Sequence, residues 1–261
     1  MTDAPAPRGL CSALFAYDVA QVIDLDRAEQ RMREATERSG IRARRRTPQY
    51  FEFHPAPLRV SQEAAPLALG AFRSDSRVEV TLFDFGAVSV CYRVAVPGRL
   101  EDMRTLAETL FENQALLQDS RARVEALIGA IGEAVDRPAI AAEVEDYMIF
   151  RLEAPLAEAH AGANDLALAQ VLRCERAELS TDEVRDATAQ RISFTPADVA
   201  MVDWNAALLA GPEMDDVQAV LEFVNVALLE MRLLDRQLDR ALDQAYDSLA
   251  RRSWTRLRFP G

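Results

Sequence analysis

Period-two alternation is clearest over Arg77–Val96. Val78, Val80 and Leu82 alternate with Arg77, Glu79 and Thr81; beyond Gly86, Val88, Val90, Tyr92, Val94 and Val96 alternate with Ser89, Cys91, Arg93 and Ala95. Each half has one apolar and one mixed face, as a half-buried strand requires. The intervening Asp84-Phe85-Gly86 predicts a closed hairpin, with one long strand bulged at Gly86 as the alternative. Pro97-Gly98 ends the pattern. Ser12 to Ile23, rich in aromatic and β-branched residues, reads as a further strand. The proline-rich stretch 47–71 holds one short strand at Tyr50–His54 in otherwise irregular chain. Val144–Glu153 and Val199–Leu209 each read as one more strand.

Helical spacing fills much of the rest. Asp24 to Ser39 is a predicted helix, with Asp24 or Asp26 as N-cap and Gly40 as stop. Two helices, about 100–117 and 119–135, are divided near Gln118-Asp119-Ser120. Another runs from Asn164 to Cys174, and Ser180-Thr181-Asp182-Glu183 is a capping-box pattern that opens the next. Strands and helices mix without a regular βαβ repeat, which predicts an α+β fold: a mostly antiparallel mixed sheet with packed helices. The organisation read from the sequence is an α+β domain over 1–211, a long helix over 212–250 and a basic tail over 251–261.

After Gly211-Pro212 no Gly or Pro occurs until Pro260. Asp215, with Gln218 three residues on, predicts an acid-capped helix from 215 to 250, about 54 Å long. A body built from the preceding residues has a diameter of about 44 Å, so the helix overhangs it. Leu221, Leu228, Asp235, Leu242 and Leu249 fall seven apart, and Val217, Val224, Met231, Leu238 and Ala245 interleave with them as a heptad. Up to Leu234 other faces are apolar as well, through Phe223, Val226, Leu229 and Leu233, so that half is expected to be buried by its own domain. Past Asp235 only a narrow stripe remains, the pattern of a helix–helix seam. The seam fits either an intramolecular cover or a partner, and Leu228, Met231, Asp235, Leu238, Leu242 and Leu249 are the candidate partner-binding residues. Asp235, Asp239, Asp243 and Asp247 form a strip at i,i+4 spacing. Arg232, Arg236 and Arg240 each precede an Asp by three, which favours a salt-bridge ladder over a metal strip.

Composition narrows the chemistry. All thirty basic residues among the 261 are arginine. Without lysine there is no Schiff-base amine and no P-loop Gly-Lys-Ser/Thr. The net charge of −12 argues against non-specific nucleic-acid binding by the whole chain, but the charge is segregated. Residues 27–46 carry +5 and residues 251–261 carry +4, leaving −21 on the remainder. Cys11, Cys91 and Cys174 share no metal or disulfide spacing and point to a reducing, cytoplasmic setting. No signal h-region and no transmembrane segment is expected.

Gly-x-Ser-x-Gly, Gly-x-Gly-x-x-Gly and His-Glu-x-x-His are all missing, so no catalytic residue, cofactor or metal site is assigned. His54 and His160 read as ordinary surface or hydrogen-bonded residues. Glu143, Glu145 and Asp146 suit a small acid-based or metal-assisted hydrolase as one alternative, a solvated turn as the other. Arg42, Arg44, Arg45 and Arg46, near Tyr50, Phe51 and Phe53, form a candidate anion-binding run together with Arg251 and Arg252. Its ligand would be RNA, lipid headgroups or an acidic protein face.

Phe83-Asp84-Phe85-Gly86-Ala87-Val88-Ser89-Val90, Leu166-Ala167-Leu168-Ala169-Gln170, the stretch from Val202-Asp203-Trp204-Asn205 to Gly211-Pro212-Glu213, and Leu221-Glu222-Phe223 before the leucine-rich helix occur in a telling order. In that order they resemble the required-for-meiotic-nuclear-division family across most of residues 75–250. The resemblance implies a non-enzymatic protein, in some relatives at the mitochondrial inner membrane. Relatives usually close with an apolar membrane segment, whereas here Arg251-Arg252-Ser253-Trp254-Thr255-Arg256 follows, which leaves only a peripheral contact with an anionic interface. The sequence therefore predicts a cytoplasmic or membrane-peripheral, self-associating adaptor or scaffold acting through its C-terminal helix. An RNA-associated role through Arg42–Arg46 is a further alternative.

Overall fold

The computed structural model describes residues 8–39, 42–44, 55–154, 156 and 165–256. Its centre is strand β1, Arg8–Asp18. In chain order the other elements are β2 Val22–Ile23, α1 Leu25–Ser39, β3 Arg42–Arg44, β4 Leu58–Glu63, β5 Ala68–Leu69, β6 Phe72–Leu82, β7 Ala87–Pro97, α2 Leu100–Leu110, α3 Gln114–Ile131, β8 Val135–Asp136, β9 Glu145–Leu152, α4 Asp165–Arg173, α5 Thr181–Ala187, β10 Arg191–Ile192, β11 Val199–Val202, β12 Ala206–Ala210 and α6 Asp215–Arg256. The main sheet runs β10-β11-β12-β9-β1-β7-β6-β4-β3, with β5 added to β6. Every pairing in it is antiparallel except β12 with β9, where Ala206 lies beside Met148. The fold is thus α+β with a mixed, mostly antiparallel sheet and a long C-terminal helix, as the residue pattern predicts.

Alternation along the strands divides the core into two layers. Ala13, Phe15, Tyr17, Val80, Val90, Tyr92, Met148 and Phe150 point to one face, where they pack with Met32 of α1, Leu106 of α2, Leu127 of α3 and Leu172 of α4. Leu14, Ile149, Ala207 and Leu209 point to the other, and Leu221 of α6 covers them. Further along, Ala16, Phe83 and Ala87 meet Val226 and Leu229. One sheet therefore separates a layer of short helices from a single long one.

The β6–β7 hairpin closes at Asp84-Phe85-Gly86, where Gly86 has φ +93°. A Cβ there would stand 1.9 Å from the Ala20 carbonyl oxygen, and Val19 N–H donates to the Gly86 carbonyl at 2.9 Å. Only glycine fits between the turn and the end of β1. Asp24 caps α1, its side chain accepting from Arg27 N–H at 3.0 Å. Ser180 caps α5 by accepting from Glu183 N–H at 3.2 Å.

Four expectations need correction. The break between α2 and α3 falls at Phe111-Glu112-Asn113, where Glu112 takes φ +49° and Asn113 caps α3 by accepting from Leu116 N–H. Ser120, expected at the break, is buried inside α3 and shares a 2.6 Å hydrogen bond with Tyr17. The run Val199–Leu209 is two strands, turned at Asp203-Trp204-Asn205. Both are buried on both faces, so no alternation betrays the turn. The region read as irregular around Pro55, Pro57 and Pro66 contains β4, paired with β6. Finally, the helix begins at Asp215 but Gln218 forms no capping box; its side-chain amide donates to Ser12 Oγ of β1 at 3.2 Å. The expected strand at Tyr50–His54 lies outside the described residues, as do His54 and His160.

Candidate functional site on the C-terminal helix

At 42 residues α6 is about 63 Å long. Its first half is fastened to the sheet by charge as well as by packing. Glu222, only 6% exposed, accepts from Arg59 Nη2 of β4 at 2.6 Å and from Thr81 Oγ1 of β6 at 3.0 Å. Arg59 also lies 3.7 Å from Glu79, which holds Arg93 of β7 at 2.9 Å. Two arginines and two glutamates thus alternate across β4, β6, β7 and α6, leaving no cation of the set without an opposite charge. Asp215 pairs with Arg151 of β9 at 2.5 Å, and Asn225 donates to the Glu145 carbonyl at 3.1 Å.

The next turns of α6 use the acidic cluster before β9. Arg232 is ion-paired to Glu145 at 2.7 Å, and Arg236 to Glu143. These pairs correct the expected ladder, because Arg232 and Arg236 reach across to the body instead of along their own helix. Glu143, Glu145 and Asp146 are placed close together by β9, but the first two each hold an arginine of α6. Burial pushes the Glu145 carboxyl up despite Arg232, with Asp146 adding to the rise. Burial likewise raises Asp146, and Glu230, whose Oε1 is buried without a hydrogen-bond partner, is raised by burial and by nearby Asp18.

The opposite face of α6 is open. Val224, Met231, Leu238 and Leu242 are 51, 66, 62 and 54% exposed, and Leu228, Leu234 and Tyr246 are exposed with them. From Leu234 to Asp247 every residue is exposed. At about 100° per residue, body-facing Glu222, Val226, Leu229 and Leu233 span about 60°, and the outer stripe is centred about 190° away. Up to Leu221 the heptad seam still helps to cover the sheet, through Val217 and Leu221, but from Val224 on it does not. There Val226, Leu229 and Leu233, off the heptad, face the body, while Leu228, Met231, Asp235, Leu238 and Leu242 form one outward row. Leu249 follows on the same row of the helix, but its side chain lies outside the described residues.

The anion-binding candidates are only partly placed. Arg42 and Arg44 fall in β3 and Arg251 and Arg252 in the last turns of α6, with side chains outside the described residues; Arg45 and Arg46 lie wholly outside them. Among the described residues no group of His, Cys, Asp and Glu converges as a metal site would, and no helix is long and apolar enough to cross a membrane. A cleft of about 350 Å³ is lined by Asp24, Asp26 and Asp84 with Ile23, Leu25, Pro55 and Ala56. Its Asp24 is already committed to capping α1.

Two features went unread in the sequence. One is the Arg59–Glu222 link, which joins residues 163 positions apart. The other is Arg173 at the end of α4. It stacks on Trp204 with 5.0 Å from its guanidinium carbon to the ring centroid, and pairs with Asp186 at 2.7 Å. Its Nε also stands 2.7 Å from the Asp203 carboxylate, an ion pair too oblique to count as a hydrogen bond. The adjacency of Asp203 and Trp204 at a strand turn was the available signal.

No curated protein and no solved structure matches the chain. A family profile does, over residues 8–216, which takes in the whole sheet and ends in the first turn of α6. The chain belongs to the family described as the N-terminal domain of the uncharacterized protein MJ0711.

Proposed function

We propose that this protein is a non-enzymatic, self-associating adaptor or scaffold that acts through α6. The observation that carries the proposal is the outward stripe from Val224 to Tyr246, apolar except at Asp235, on a helix already anchored by its other face. Exposed apolar surface of several hundred Å2 on one element marks an interaction site. The resemblance of the motif order to the required-for-meiotic-nuclear-division family is in keeping with a non-enzymatic role. The basic end of α6, with Arg251 and Arg252, suits an anionic surface beside the protein contact, in a cytoplasmic or membrane-peripheral setting.

Light scattering of the full chain against Leu238→Glu/Leu242→Glu tests the proposal. Both leucines are exposed, so the double variant keeps its fold and helical circular dichroism. The expected result is an oligomer for the natural chain and a monomer for the variant. A natural chain that stays monomeric at tens of micromolar overturns the proposal.

A further inference from the structure

We infer that the occupant of the outer seam is α6 of a second copy, laid antiparallel with the two-fold axis beside residues 236 and 237. This rests on the self-association reading and adds direction and register to it.

Area is the first argument. Val224, Leu228, Met231, Leu234, Leu238, Leu242 and Tyr246 together expose roughly 700 Å2 per copy, near the ~800 Å2 per partner of a standard specific interface. Because this row points away from the sheet, a second helix lies along it without meeting the body of its own partner.

Charge decides the direction. α6 opens with Asp215 and Asp216 and ends with Arg251, Arg252 and Arg256. A parallel pair sets acidic start against acidic start and basic end against basic end. An antiparallel pair sets each start against an opposite end, and opposes the helix dipoles favourably as well.

Asp235 supports the same direction. In a parallel, in-register pair the two copies of Asp235 share one core layer, with like charges face to face. The antiparallel register puts Asp235 opposite Leu238 of the second copy and the two carboxylates in neighbouring layers. The other layers are apolar: Val224 faces Leu249, Leu228 faces Ala245 and Met231 faces Leu242. Along the flank Leu234 meets Ala241. Asp239 meets Arg232, whose guanidinium retains donors beyond its pair with Glu145. Arg256 then falls opposite Val217, within a turn of Asp215 and Asp216.

Disulfide trapping in the full chain tests direction and register. Cys11, Cys91 and Cys174 are buried, and burial pushes all three thiols up, so they stay silent toward mild oxidation. Met231→Cys/Leu242→Cys is expected to give a covalent dimer, as is Leu228→Cys/Ala245→Cys one layer further out. Leu242→Cys alone is expected to give at least tenfold less, because no seam residue faces its own copy. Efficient trapping by Leu242→Cys alone shows a parallel pair and overturns the inference while self-association stands. An oligomer by light scattering that neither double variant traps overturns the register in the same way. A monomer by light scattering removes the inference and the proposed function together.

Discussion

Glu222→Ala is the sharpest test of how α6 is held. The carboxylate is 6% exposed and makes two bonds across the layer, one to the Arg59 guanidinium at 2.6 Å and one to the Thr81 hydroxyl at 3.0 Å. Truncation removes two hydrogen bonds to one carboxylate, both charge-assisted and each worth about 1.5–3 kcal/mol. Against this, Arg59 keeps Glu79 at 3.7 Å and its side chain is 27% exposed, so the stranded charge is partly compensated. The net expectation is a loss of about 2–3 kcal/mol, near the lower bound for breaking a buried pair. For a chain of this size that lowers the melting temperature by roughly 5–10 °C. Urea denaturation of the natural chain, Glu222→Ala, Arg59→Ala and the double variant measures both the loss and the coupling. A loss below about 0.5 kcal/mol for Glu222→Ala, or a coupling near zero, refutes the view that this ion pair anchors the helix.

Three other predictions follow from the same geometry. Glu230→Gln is expected to raise the melting temperature at pH 7, because burial and Asp18 hold the natural carboxyl above its ordinary value and its ionised form is penalised in the folded state. That penalty is fully present above the folded pKa and gone below the unfolded value of about 4.3, so the gap between the two proteins must close as pH falls from 7 to 4; a gap that widens refutes the assignment. Gly86→Ala is expected to cost about 3 kcal/mol or more, measured by urea denaturation, since its Cβ would meet the Ala20 carbonyl and its φ is +93°. Arg173→Ala is expected to cost about 2 kcal/mol by the same measurement, and Arg173→Lys to recover less than half of it, because one ammonium cannot both stack on Trp204 and bridge Asp186 and Asp203. Full recovery by lysine means that charge alone matters there.

What the sequence discloses depends on how local the cause is. The β6–β7 hairpin was legible because Val78 to Leu82 and Val88 to Val96 each alternate against a solvated or polar face. α1 was legible to within a residue because Asp24 caps it from the adjoining position. The outer stripe of α6 was legible as a seven-residue repeat. Its outward direction was not, since that depends on Glu222, Val226 and Leu229 claiming the opposite side. β11 and β12 merged into one strand because burial on both faces erased their alternation. The pairs of Arg232 with Glu145 and Arg236 with Glu143 were misassigned to the helix itself, because local i,i+3 neighbours are visible in one dimension and partners across a layer are not.

The strand at the centre of the sheet is also the first described strand to be synthesised. Arg8 of β1 pairs with Pro97 on one side, and Gly9 pairs with Leu152 on the other. A ribosome adding about 5–20 residues per second needs roughly 5–20 s to supply the first of these neighbours after β1 itself. The second needs correspondingly longer. Through that interval Leu10, Leu14, Phe15 and Tyr17 have no sheet to enter, and β1 has two free edges of the kind that recruit other chains. Assembly of the sheet around β1 is therefore late and stepwise, and this largely apolar strand depends on sequestration until β7 and then β9 arrive.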